Sequence, residues 1–253
     1  TGSTNVAVGH GALCGNTTAG NNIGVGTCSL KATTTGSNNI GIGASALCTN
    51  VTGIKNIAIG TEALRYNTGS NNTAIGYVAL DANTTASNNT AVGESASGKN
   101  TTGAQNTTVG AGSFACNTTG SNNTAIGQAA LESNTTGGSN TAVGRKTFEN
   151  VTTGSANVAI GICAGSDASM INITTESNRF VAGHNDITNA YVKVDWTVTS
   201  DLRDKTEIGD VPVGLQFVNK LKPVSFRFKK SRENPEPHGF KKYGFLAQDI
   251  LEL

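Results

Sequence analysis

Along the first two thirds of the chain the apolar residues recur in short triplets, not in long runs. Each triplet sets two larger residues around a small one, as in Val6-Ala7-Val8, Ile57-Ala58-Ile59 and Thr73-Ala74-Ile75. Successive side chains of a strand point to opposite faces, so each triplet predicts a short β-strand with two different faces. One face carries Val, Ile or Thr and the other mostly Ala or Gly. Neither face is charged, which predicts that both are buried. A second apolar patch follows and ends in a large residue: Leu13, Leu30, Leu47, Leu64, Leu80, Phe114, Leu131 or Phe148. Ala or Ser usually precedes it. A polar turn of Gly, Thr and Asn closes each copy.

Aligning the chain on itself gives one register. Its anchor glycines are Gly9, Gly26, Gly43, Gly60, Gly76, Gly93, Gly110, Gly127, Gly144 and Gly161, spaced by 17 residues except for one interval of 16. Four residues before each anchor stands an asparagine, from Asn5 to Asn157. Disordered low-complexity sequence needs no such fidelity; a stacked repeat does. Stacking pairs every strand with its copy above and below, so each apolar position becomes a ladder. Glycine permits the tight corners, and asparagine can bond neighbouring backbone or stack on itself. At about 4.8 Å per coil the stack is a rod roughly 43 Å long. So small a coil has room to bury one side of each strand, and the other apolar side needs a partner. The expected fold class is therefore all-β: a parallel β-solenoid (β-roll) of about ten 17-residue coils, closed as an intertwined or side-by-side homotrimer, then a small α+β module. The competing arrangement is a single-chain roll with its alanine face partly exposed.

The pattern changes near residue 165. Val192, Val194, Trp196 and Val198 alternate with polar residues, which predicts an amphipathic strand. Asp210 as N-cap, Pro212 in the first turn and Leu215, Val218 and Leu221 predict a short helix ending before Pro223. Val224, Phe226 and Phe228 predict a further strand, followed by a basic, proline-containing loop over 229–242. Residues 1–165 hold five acidic and six basic side chains, whereas 166–253 hold twelve of each in about half the length. The expected organisation is a shaft over 1–165, a connecting neck over 166–199 and a distinct module over 200–253.

Composition narrows the function classes. A net charge of +1 supplies no basic footprint for nucleic acid. No apolar run is long enough for a membrane span, so membrane insertion is not expected. The chain opens inside a repeat, so further sequence is expected upstream and the absence of a signal peptide decides little. Cys14, Cys28, Cys48, Cys116 and Cys163 form no C-x-x-C pair, and an odd count does not suggest a closed disulfide framework. Cys14 and Cys48 share a repeat position two coils apart, about 9–10 Å, too far for a bridge. They are expected to be small, buried, reduced residues; the alternative is a meeting of equivalent cysteines across a subunit axis. No cofactor-binding or metal site is expected. Sites of the N-x-[ST] type such as Asn83, Asn117 and Asn134 fall out of the period and say little about glycosylation. A threonine ladder (Thr73, Thr90, Thr107, Thr124, Thr141) raises ice binding, but it is single and gives way to Val or Ile elsewhere.

The repeat, best written TTGSNNTAIGxxAL, resembles the head repeats of trimeric autotransporter adhesins and similar repeats in phage tail fibres. The resemblance covers about two thirds of the chain and implies a trimeric, left-handed, parallel β-roll. The copy here is slightly longer than the usual adhesin-head copy, which leaves the coil shape open.

The C-terminal motifs resemble the self-cleaving intramolecular chaperone of endosialidase-type phage tail spikes and fibres. That family has a Ser-Asp with a lysine five residues after the serine, then LxPVxFxxK, then GFxAQ. Here stand Ser200, Asp201 and Lys205; Leu221, Pro223, Val224, Phe226 and Lys229; and Gly244, Phe245, Ala247 and Gln248. A Ser-x-x-x-x-Lys spacing alone carries almost no information, and Ser200 or Asp201 could equally cap a turn; the order and spacing of all three motifs carry the resemblance. The family's domain continues further, so the chain looks clipped at its C-terminus. The resemblance implies a domain that trimerises, sets three chains in register and then cuts itself off. Lys205, with a lowered pKa, would take the proton of Ser200, whose oxygen attacks a peptide carbonyl adjacent to Ser200. Asp201 is a candidate for orienting the pair. At most this is single-turnover autoproteolysis in cis.

Three functions compete. The first is a structural, adhesive segment of a virion tail fibre, extracellular once assembled in the host cytoplasm, with a host cell-surface receptor or glycan and other tail proteins as partners. The second is a bacterial surface adhesin. The third is a polysaccharide-degrading tail spike with its catalytic domain upstream, because the repeats offer only Glu62, Asp81, Glu94, Glu132 and Glu149 and no evident acid/base pair.

Overall fold

A computed structural model describes residues 2–167, 171–188, 221–229 and 236–244. They belong to two units, Thr1–Asn185 and Asp186–Leu253. Among the described residues every regular element is β.

The first unit is a parallel β-solenoid. Ten strands of three residues each stack along the rod: β1 (Val6–Val8), β2 (Ile23–Val25), β3 (Ile40–Ile42), β4 (Ile57–Ile59), β5 (Thr73–Ile75), β6 (Thr90–Val92), β7 (Thr107–Val109), β8 (Thr124–Ile126), β9 (Thr141–Val143) and β10 (Val158–Ile160). Each pairs in parallel with the equivalent residues of the next, as Ile57 with Thr73, Ala58 with Ala74 and Ile59 with Ile75. A three-residue strand has little stability alone; here each edge finds the adjacent copy.

The central residue of each strand points into the coil. Ala58, Ala74, Ala91, Ala125, Ala142 and Ala159 are fully buried, opposite the Leu and Phe ladder of the second wall. Size decides this orientation. A Cβ placed on Gly41 would already lie 3.2 Å from Leu30, and one on Gly24 would lie 3.3 Å from Leu13. Only a small residue fits opposite leucine. The larger strand residues therefore face outward, and Ile42, Ile59 and Ile75 stay 38% exposed. Burial of both strand faces is not achieved within one chain, and the face left open is the Val/Ile/Thr face, not the alanine face.

The second wall has an unexpected backbone. Its leucines, together with Phe114 and Phe148, take φ of about +50°, and the residues two before them, such as Cys28, Ser45 and Glu62, are left-handed as well. Left-handed backbone costs a bulky residue roughly 1–2 kcal/mol. Two gains offset it. The alternation aims successive N–H groups in opposite directions along the rod: Cys28 N–H donates back to His10 O (2.9 Å) and Leu30 N–H donates forward to Ala46 O (2.9 Å). Burying each leucine contributes about 1.5–3 kcal/mol more.

Two asparagine stacks tie the corners. In the first, each Oδ1 accepts the backbone N–H of the next asparagine, as Asn56 N–H to Asn39 Oδ1 (2.9 Å) and Asn72 N–H to Asn56 Oδ1 (3.0 Å). Each Nδ2 donates to a corner carbonyl, as Asn39 to Gly53 O (2.9 Å). The second stack runs from Asn50 to Asn134 and reaches the same carbonyls: Asn50 Nδ2 also donates to Gly53 O (2.9 Å). Asn83, Asn117 and Asn134 are buried members of this second stack. Their amides are engaged inside, so the N-x-[ST] pattern there is architecture. The coil of 16 residues lacks one residue between Asn67 and Gly69, and Asn67 Nδ2 still donates to Gly69 O (2.9 Å).

The stack continues past residue 165. After β10 come an antiparallel pair, β11 (Ser166–Asp167) and β12 (Ile171–Asn172), and then β13 (Phe180–Ala182). β13 pairs in parallel with β10, Val158 opposite Phe180, which adds an eleventh strand to the sheet. The step is 22 residues instead of 17, with the extra length looped out at β11–β12. The cysteines differ from expectation: Cys14 is exposed and Cys28, Cys48, Cys116 and Cys163 are half-exposed. They occupy outward positions of the corner, while the interior goes to Leu, Phe and Ala.

In the second unit β14 (Val224–Lys229) pairs antiparallel with β15 (Pro237–Gly244). Val224 and Phe226 are half-buried and Ser225 and Arg227 exposed, matching the expected alternation. Much of the stretch expected as a basic loop over 229–242 is strand instead. Proline is tolerated at a strand's first residue, where Pro237 stands, and the aromatic residues after it suit a pleated surface. The amphipathic strand at Val192–Val198 lies outside the described residues, as does the expected helix apart from Leu221, which is irregular.

Two predictions follow from the corners. Replacing Asn56 with alanine strands the Asn72 N–H inside the stack and should cost about 1–3 kcal/mol in denaturant unfolding. Gly110 and Gly112 share one corner. Gly110 has φ +129°, and a Cβ there would lie 2.6 Å from the Gly127 carbonyl; Gly112 has φ +65° and open space around it. Gly110→Ala should therefore lower the thermal midpoint sharply, while Gly112→Ala costs only ~1 kcal/mol.

Candidate functional site

The residues expected to carry chemistry lie in the second unit, on three motifs. The middle motif occupies β14: Val224 and Phe226 sit on the strand and Lys229 ends it, with Leu221 and Pro223 just before. Gly244, the first residue of the third motif, ends β15 and stands opposite Val224. Two motifs separated in sequence thus meet across one ladder. The register shifts between Phe226 and Phe228, an irregularity that bends the pair. Arg227, Lys229, His238, Lys241 and Lys242 make this hairpin basic, and the Lys241 ammonium lies 5.9 Å from the Tyr243 ring centre. Ser200, Asp201 and Lys205, with Phe245, Ala247 and Gln248, lie outside the described residues.

Among the described residues, two ion pairs lie along the repeats of the solenoid. Glu62 binds Arg65 (2.9 Å) and Glu149 binds Lys146 (2.8 Å), each pair three residues apart on one turn. The Arg65 guanidinium also lies 5.0 Å from the Tyr66 ring centre. Asp81 sits one coil further on. Burial, and then the Glu62 charge, push its carboxyl above the usual range against the opposing pull of Arg65. Sequence reasoning missed this approach of two carboxylates, because they occupy different columns of the repeat; assigning each residue a column would have found it. Glu62 is already engaged as an ion pair, so the two do not form a free acid/base couple. Burial likewise raises the Cys48 thiol. A second unflagged contact joins His184 Nε2 to Asp167 Oδ2 (3.1 Å) at the end of the stack. Among the described residues no group of three His, Cys, Asp or Glu is arranged to hold a metal, and no helix is long and apolar enough to cross a membrane.

No curated protein and no solved structure matches the chain. One family model does match: residues 200–253 match the chaperone of endosialidase. The match begins at Ser200 and spans all three motifs, including the β14–β15 hairpin.

Proposed function

We propose that this chain is a structural, adhesive segment of a phage tail fibre, which forms a homotrimer and is matured by its own C-terminal chaperone. The observation that carries this assignment is the conjunction of a rod-like β-solenoid with a chaperone-of-endosialidase match over residues 200–253. Neither half explains itself alone. A rod of near-identical coils has many possible registers between chains, and a clamp at one end selects a single register. Such a fibre is extracellular on the virion, contacts a host surface receptor or glycan and is held by other tail proteins.

The trimer is supported by the outward face of the sheet. Ile42, Ile59, Ile75 and Ile126 form an uncharged, part-exposed ladder along the shaft, of the kind that marks an interaction surface. A second copy carries the same ladder at the same pitch.

Maturation would run through Ser200 and Lys205. The Lys205 amine accepts the Ser200 hydroxyl proton, and the serine oxygen attacks the adjacent peptide carbonyl. The peptide C–N bond breaks, the proton passes to the departing amine and water then hydrolyses the ester. Asp201 would orient the lysine.

Denaturing gels of the protein expressed from its native reading frame should show a product shortened at Ser200, absent from Ser200→Ala and Lys205→Ala. A parent chain that is never shortened would remove the autoproteolytic role. Native mass measurement should give three copies, and Ile59→Glu with Ile75→Glu should reduce these to single chains. A trimer that survives both glutamates would place the interface elsewhere.

A further inference from the structure

The buried interior of the solenoid is interrupted at one level. One core cluster runs from Leu13 to Ala96 and a second from Phe114 to Val181. Between them three consecutive inward positions are polar. Ser97 stands where the other coils from the first to the ninth have Leu or Phe, Thr108 where the others have Ala or Gly, and Ser113 where most have Ala. All three are buried.

Geometry explains how the pair is accommodated. Leu30 of one coil packs on the strand centre of the next, at Gly41. By the same spacing Ser97 meets Thr108, and their hydroxyl oxygens are 3.0 Å apart. The Thr108 hydroxyl also donates to Thr90 O (3.2 Å). The Ser113 hydroxyl is buried and finds no partner among the described residues. Ser29, at the same position of another coil, donates to Gly41 O (2.7 Å). The level therefore lacks a leucine and contains an orphaned hydroxyl. Both weaken coupling between the coils of β6 and β7. The backbone ladder crosses the level unbroken, with Thr90 N–H to Asn106 O (2.8 Å) and Ser97 N–H to Ser113 O (2.9 Å).

We propose that the solenoid consists of two cooperative blocks, β1–β6 and β7–β10 with β13, joined at a built-in weak level that keeps register but loses apolar coupling. In a linear stack each coil contacts only its neighbours, so one weak interface is enough to let the two sides open and close separately. This inference does not depend on the fibre assignment or on cleavage at Ser200.

Hydrogen exchange on the full chain tests it. The Thr90 and Ser97 amides should exchange about tenfold faster than the corresponding Ile57 and Leu64 amides inside the first block. Denaturant unfolding should show two transitions. The triple substitution S97L/T108A/S113A restores the common pattern and should merge them. Transplanting the polar pair as L47S/A58T should create a second fast-exchanging level between β3 and β4. Uniform exchange across β5–β8 overturns the proposal, as does a transplanted pair that leaves exchange at β3–β4 unchanged.

Discussion

Everything in the shaft depends on one translation, the step of about 4.8 Å that carries each coil onto the next. At that distance a backbone N–H meets the carbonyl of the adjacent copy, as Ile40 N–H meets Asn56 O (2.8 Å). The side chains that cement the corners obey the same rule. An asparagine amide closes its bonds only if the neighbouring coil places an asparagine and a corner carbonyl at the same height. The ladder also permits the left-handed leucines, because their N–H groups would otherwise point into empty space.

Most of this was legible in the sequence, because strand periodicity and repeat spacing are local. The triplets at Ile57–Ile59 and Thr73–Ile75 are strands where expected, and the asparagines before each anchor glycine form the stack that their repetition implied. What the chain did not disclose is which strand face turns inward. That follows from the cross-section of a closed coil, in which Leu30 leaves only enough space at Gly41 for a small residue. The eleventh strand escaped for a related reason: Phe180–Ala182 is followed by the repeat's glycine, Gly183, but has Arg179 in place of the asparagine and sits at the wrong interval, so only the register with β10 reveals it. In the second unit the lysines and prolines over 229–242 resembled a loop, and a cross-strand partner overrode that local preference. The approach of Glu62 and Asp81 depends on columns of the repeat, and proximity along the chain hides them.

A shaft built this way is indifferent to chemistry at most of its surface. Its interior uses a handful of residue types, and two short ion pairs, Glu62 with Arg65 and Lys146 with Glu149, lie along its repeats. The proposed division of labour between shaft and C-terminal module suits that simplicity. Repetition makes the coils easy to stack and equally easy to stack one step out of place. The information that chooses a register has to reside where the sequence stops repeating.

The short coil and the looped-out hairpin occur at the same corner, beside the second asparagine stack. One removes a residue between Asn67 and Gly69; the other inserts β11–β12 between β10 and β13, and the strand ladder closes around both. That corner is therefore the tolerant edge of the solenoid, where insertions and deletions can accumulate without propagating along the axis. Any of ten rungs offers the same opening, so peptide loops grafted there would project in a row at a pitch set by hydrogen bonding. The rod is in that sense a ruler with sockets, and diversification could proceed at each one independently.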